Sequence, residues 1–393
     1  MSKMRIAVFG ASGFVGSTLV EQFLHKNDGE LRVCIHSAGN VWRLARHGMK
    51  FHFVDILSRA EVREALEGCT HVVNCTRGPD EVMVEGLRNL LEESQAQGVQ
   101  RFVHLSSVAV YGDPPPPEST HEDAKPHPAP QSYGWVKLRQ DSMVQRAYRR
   151  GLSSIILCPP NISGIFSPFV SEVLQDMRHG TLALVDGGET ALNIVDAENL
   201  CHAIELALTC EEADGQRMFV TDAETLTWKD FTKMLLPLAE RSEPLPSVTR
   251  ADIFKGAATG KRGRLSPFRA LKHLVSSSVR EALREDPLLE KIDQGIRASI
   301  ALLPDTIEDG LRCFIEGPIQ VAKITPSTRY SSRYNAQQLR GVYHSCERAQ
   351  KMLNYTPKYT FKQSMERFCA WYQALHGFGT VSWKLVRELE EVR

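Results

Sequence analysis

None of the nine cysteines stands in a CxxC pair or at a metal-ligand spacing. Neither a disulfide scaffold nor a zinc module is expected, and the scattered cysteines read as small buried hydrophobes in a reducing compartment. Net charge is missing too. Lysine plus arginine and aspartate plus glutamate number 47 each, which argues against a nucleic-acid or membrane role driven by global charge. No apolar run is long enough to span a bilayer, and the opening "MSKMRIAVFG" does not read as a secretory leader, so a cytoplasmic protein without a transmembrane segment is expected. No internal repeat is found. What remains is 393 residues of ordinary globular composition, 42% apolar and 24% charged.

The first half alternates two patterns. Short β-branched and aromatic runs ("RIAVF", "LRVCIHS", "KFHFVD", "HVVNCT", "RFVHLSS", "SSIILCPP") are separated by segments with apolar residues at helical spacing, such as Val15, Leu19 and Phe23. The helix after Ser58 carries its own cap and a glycine stop at Gly68. The stretch 80–98 reads as one amphipathic helix, and 132–151 as another. This order predicts an α/β fold, a Rossmann-type, doubly wound parallel sheet with helices on both faces, and a ligand crevice at the carboxyl ends of the strands.

Two features stand at those ends. Gly10, Gly13 and Gly16 follow the first strand in "GASGFVG"; a glycine turn opening a helix offers free N–H groups to a phosphate. Tyr133 and Lys137 in "SYGWVK" lie four apart and share a helix face. A nearby cation favours a phenolate, so Lys137 is expected to draw the Tyr133 phenol down from its ordinary pKa near 10. A bare Tyr–Lys pair is equally what a solvated helix face presents.

The segments "GASGFVG", "FVDIL", "HVVNCT", "FVHLSSVAVYGD", "SYGWVK", "LCPPNISG", "NIVDAENLCHAI" and "ERAQKMLNYTP" follow one another in the order seen in the extended short-chain dehydrogenase/reductases, the NAD-dependent epimerase/dehydratase family, which the chain resembles from residue 5 to about 372. The resemblance makes Tyr133 the acid/base, Lys137 its tuning cation and a ribose ligand, and Ser107 the residue that holds the reacting oxygen, with Ser106 one position out of register. It assigns the coenzyme to Gly10, Ser12, Gly13, Phe14, Val15 and Gly16. Asp55 and Ile56 would meet the adenine, Cys75 and Thr76 the nicotinamide ribose, and Pro159 and Pro160 the nicotinamide ring. Asp55 fits a helix start equally well. His36 stands where NAD-preferring members carry an acid, with Ser37, Arg43 and Arg46 nearby. NADP(H) is therefore expected ahead of NAD(H).

The implied domains are a Rossmann unit over 1–160, with 190–225 returning to its sheet, and a helical substrate region over 161–393. Asn161 is the implied substrate ligand. The implied activity is hydride transfer between nicotinamide and an alcohol or ketone carbon of a small molecule. The alternatives are an NAD-dependent sugar-nucleotide epimerase and a non-catalytic NADP sensor. Val108 and Ala109 stand where the dehydratases carry acids, and Cys158 and Leu192 where diphosphate-binding members carry arginines. Asn199 in "DAENL" is similar to the 3β-hydroxysteroid dehydrogenase-like branch. An insertion near 248–330 opens on a basic stretch, 248–285, open to three readings: solvated helices, a lid, or a peripheral membrane contact. The tail "VSWKLVRELEEVR" reads as a terminal helix, and a homodimer is the family habit.

Overall fold

The β-rich runs pair edge to edge in a computed structural model that describes residues 4–26, 29–241, 243–254 and 330–376. The strands are β1 (Arg5–Phe9), β2 (Glu30–Ile35), β3 (Phe51–Phe53), β4 (His71–Asn74), β5 (Arg101–Leu105) and β6 (Ser154–Cys158). After a short β7 (Asn161–Ser163) and β8 (Ile194–Asp196), which pair with each other, β9 (Arg217–Phe219) joins the main sheet beside β6. The order is β9-β6-β5-β4-β1-β2-β3, and every neighbouring pair is parallel.

Strand periodicity explains the two covered faces. Along β1, Ile6 and Val8 pack with α1 (Phe14–Lys26) and α6 (Ala197–Thr209). Ala7 and Phe9 pack on the other side with α2 (Arg59–Leu66), α3 (Leu87–Ala96) and α4 (Tyr133–Arg149). A separate apolar cluster holds α5 (Pro168–Arg178), α7 (Trp228–Leu235) and α8 (Phe361–His376) around Val170, Trp228, Phe231 and Phe368. The chain divides into a unit of residues 1–253 with 326–393 and another of 254–325; the architecture given is that of the first. Most of the basic stretch 248–285, the rest of the insertion and the tail "VSWKLVRELEEVR" lie outside the described residues.

Ser58 does cap its helix, accepting from the Glu61 N–H at 3.4 Å. The single helix expected over 80–98 differs. Its first part, Val82–Gly86, is a π-helical turn, and the α-helix begins only at Leu87.

A buried polar seam ties β8 to the chain after β9. The Asp222 carboxylate accepts from the Asp196 N–H at 2.9 Å and from Asn199 Nδ2 at 2.7 Å. Asn199 also donates to the Tyr359 carbonyl and accepts from the Lys358 and Tyr359 N–H groups, so its amide is spent on the fold. Burial pushes Asp222 up to about 7, more than the hydrogen bonds it accepts pull it down. An acid so raised keeps its proton in the folded chain after the unfolded one has lost it. Its contribution to stability is whole below about pH 4 and is lost as pH rises through about 7. Asp222→Asn keeps an oxygen for both donors. It is expected to change the melting temperature little at about pH 4 and to stabilise the protein at pH 8 by roughly 2–4 kcal/mol. Thermal melts at the two pH values check this, and a loss of stability at pH 8 would contradict it.

Candidate active site

The sheet order reverses between β1 and β4, the place where an open α/β sheet leaves a crevice. The strand ends are in register there: Phe9 lies opposite Asn74, Asn74 opposite His104, and Leu105 opposite Leu157. Gly10 follows β1 with φ +75°, and a Cβ on it would stand 2.8 Å from the Cys75 carbonyl carbon and oxygen. The turn therefore closes against the end of β4 only because residue 10 has no side chain. The Gly13 N–H donates to the Gly10 carbonyl at 3.0 Å, and Gly13 is exposed at the start of α1. A bare backbone cradle at a helix N-terminus is what a dinucleotide pyrophosphate requires, so the residues present fit that group.

Tyr133 is the first residue of α4, whose N-cap, Ser132, accepts from the Trp135 N–H at 3.2 Å. Gly134 sits so close to the segment after β5 that a Cβ on it would stand 2.1 Å from the Ala109 carbonyl oxygen. That contact packs the start of α4 against the short turn that Ser107 opens. Ser107 is half-buried and its Oγ accepts from the Ala109 N–H at 3.2 Å, which leaves its O–H able to donate; Ser106 is buried. Lys137 is buried, and its ammonium donates to the Leu105 carbonyl at 2.8 Å. Its Nζ lies 5.9 Å from the centre of the Tyr133 ring. Burial draws Lys137 down to about 8 against the pull of Asp141.

The phenol behaves differently from expectation. The protein around it pushes Tyr133 up, by burial first, and the opposing cation is Arg77 rather than Lys137. The residue is 42% exposed. Behind Lys137, one further turn along α4, Asp141 is fully buried, with Arg217 Nη2 at 3.0 Å and His104 Nε2 at 4.0 Å. Burial raises the Asp141 carboxyl while Arg217 opposes, and burial holds the His104 imidazole well below its usual value. Sequence reasoning missed Arg77, Asp141, His104 and Arg217. The helical step of four from Lys137 to Asp141 was a readable signal for one of them; His104 and Arg217 come from separate strands and Arg77 from the loop after β4.

The remaining candidates divide. Ser12, Phe14 and Val15 are half-buried at the glycine turn, and Cys75, Thr76, Pro160 and Asn161 are half-buried at neighbouring strand ends. Pro159 and Gly16 are buried. His36 and Ser37 are exposed after β2. Asp55 makes a local turn, its Oδ1 accepting from the Leu57 N–H at 2.9 Å, as a helix-start residue does. Ile56 is buried against Gly86. Cys158 and Leu192 are both buried in apolar clusters. Among the described residues no helix is long and apolar enough to cross a membrane.

Residues 6–220 match the family described as NAD dependent epimerase/dehydratase. An uncharacterized protein, y4nG, of Sinorhizobium fredii is 27% identical over 66% of this chain and 67% of its own. Sterol demethylase protein B of Methylococcus capsulatus is 29% identical over 56% of this chain and 70% of its own. Among solved structures, UDP-glucuronic acid 4-epimerase from Bacillus cereus in complex with NAD superimposes with TM-score 0.62 and 16% identity, covering 95% of this chain and 100% of that one. The Bordetella bronchiseptica enzyme WbmG in complex with NAD and UDP gives TM-score 0.61 and 16% identity, covering 95% and 96%. At such identities the likeness is one of fold.

The expectation of NADP(H) is overturned. Both solved structures just described, and a dTDP-glucose 4,6-dehydratase from Bacillus anthracis, carry NAD, against one similar structure with NADPH, and the arginines meant for a 2′-phosphate are already taken. Arg43 is buried, with Nε 2.9 Å and Nη2 2.5 Å from Glu21 Oε2, and its guanidinium is covered by the Phe166 ring at 4.5 Å. Arg46 pairs with the other Glu21 oxygen at 2.9 Å.

Proposed function

The chain belongs to the NAD-dependent epimerase/dehydratase family, and from that premise we propose that it moves a hydride reversibly between the nicotinamide of NAD and a carbinol carbon of a small-molecule substrate. It is an enzyme of the oxidoreductase and epimerase kind. The observation that carries the reading is the convergence of the glycine turn, Ser107, Tyr133 and Lys137 at one row of strand ends.

Bound NAD supplies the hydride acceptor. The chain's own residues do the rest. The N–H groups at the start of α1 hold the pyrophosphate. Lys137 keeps a buried positive charge beside the Tyr133 ring and meets the ribose. Tyr133 takes the hydroxyl proton as the carbinol becomes a ketone, and returns it in the reverse direction. The Ser107 O–H holds the reacting oxygen. Asn161 meets the substrate.

The finer reading better supported by the comparisons is a sugar-nucleotide epimerase, in which the ketone turns over and is reduced again from its other face with no net change in coenzyme. UDP-glucuronic acid 4-epimerase shares the fold over nearly the whole chain. A second reading, a dehydrogenase or ketoreductase with net turnover, rests on Cys158 and Leu192. Both are buried apolar side chains where a diphosphate would call for guanidinium groups. One experiment separates them. Protein denatured as purified is expected to release about one equivalent of NAD by mass spectrometry and, with UDP-sugars, to change product stereochemistry without net absorbance change at 340 nm. An empty site with stoichiometric NADH formation would favour the second reading. A cytoplasmic location and a homodimer complete the proposal.

A further inference from the structure

Arg77 follows β4 in "CTRGPD" and lies at the same row of strand ends as Tyr133. Its guanidinium stands 5.3 Å over the Tyr133 ring, and the residue is exposed. Other arginines of this unit are committed: Arg43 and Arg46 to Glu21, Arg217 to Asp141, Arg101 to Asp214 and Arg348 to Asp123. Among the described residues no carboxylate or carbonyl partners Arg77.

The backbone that carries it is fixed. The Asn74 side chain, hydrogen-bonded to His104 Nδ1 at 3.2 Å, accepts from the Thr76 N–H at 3.1 Å and from the Thr76 hydroxyl at 2.6 Å. Two residues beyond Arg77, the Pro79 carbonyl accepts from the Met83 N–H at 3.0 Å as the π turn begins. A charged donor held on a rigid strand end, beside an ionisable phenol and without an internal partner, is poised for an external anion.

We infer that Arg77 is the specificity residue for an anionic substrate, gripping a carboxylate or phosphate close to the carbinol that faces Tyr133. The inference rests on the proposed role of Tyr133 and names the substrate class for that site. A guanidinium here has a second effect. It lowers the phenol and the Lys137 ammonium alike, and an anion seated on it would relieve both. The proton acceptor would then change strength as substrate binds.

The same anion-binding chemistry could serve the coenzyme's pyrophosphate, and the test separates the two sources. Labelling of Arg77 by phenylglyoxal is followed by peptide mass spectrometry on the full-length protein: alone, saturated with NAD, and saturated with NAD plus a probe. The probes are 3-hydroxybutyrate for a carboxylate, UDP for a diphosphate and butan-2-ol as the neutral alcohol. NAD alone is expected to change the rate less than twofold, and one anionic probe to slow it about tenfold, the scale of one charged hydrogen bond. Protection by NAD alone would assign the guanidinium to the coenzyme and overturn the inference. So would labelling unmoved by both anions, or moved equally by butan-2-ol. Because labelling needs no turnover, repeating it on Tyr133→Phe keeps the two ideas apart. Protection should persist in that variant, and a fully active Tyr133→Phe would sink the acid/base role without touching the anion contact.

Discussion

Tyr133→Phe is expected to cost roughly 10²–10⁴-fold in turnover, the usual worth of a positioned acid/base, while NAD binds as before. The substitution deletes one oxygen and keeps the ring against which the Lys137 ammonium and the Arg77 guanidinium lie, at 5.9 Å and 5.3 Å from its centre. The helix start is untouched, since Ser132 caps it through the Trp135 N–H. Lys137 keeps its bond to the Leu105 carbonyl. The loss should therefore fall on the chemical step rather than on folding or coenzyme affinity. Rapid-mixing measurement of bound-nicotinamide absorbance, with calorimetric titration of NAD alongside, checks both halves. Undiminished turnover would mean that the proton leaves by another route.

Gly10→Ala is expected to abolish measurable NAD binding and to lower stability. Two independent penalties coincide. The backbone at φ +75° is one that a side chain adopts only at a cost of about 1–3 kcal/mol. The new Cβ would also meet the Cys75 backbone at 2.8 Å. That neighbour is backbone at the end of a central strand and cannot swing aside as a flexible side chain would. Relief has to come from opening the gap between the first turn of α1 and the end of β4, which is where the pyrophosphate would sit. Calorimetric titration with NAD and a thermal melt are the measurements. Wild-type affinity in a folded variant would show that the coenzyme does not depend on this turn.

Much of the frame was legible because its causes are local. Alternating runs of β-branched and helical periodicity demand strands and helices, and their order demands a parallel sheet. A glycine turn after the first strand has to lie at that strand's carboxyl end. The step of four places Tyr133 and Lys137 on one helical face without knowledge of anything else. What was misread depended on partners far along the chain. Arg43 looked like a phosphate ligand until Glu21, on α1, claimed it. Lys137 looked like the cation that acts on the phenol, but folding buries it against Leu105 and sets Arg77 there instead. Asn199 was read from its motif alone, and the fold adds that its amide is a junction between α6, Asp222 and the Lys358–Tyr359 backbone.

The sequence by itself determined the order of elements, the parallel sheet and the glycine turn at its crevice, since those follow from short-range periodicity and backbone sterics. Only the tertiary structure decided which charges are spent within the protein and which remain for a ligand, because an ion pair depends on distance in space, and side chains from separate strand ends meet only once the sheet has closed.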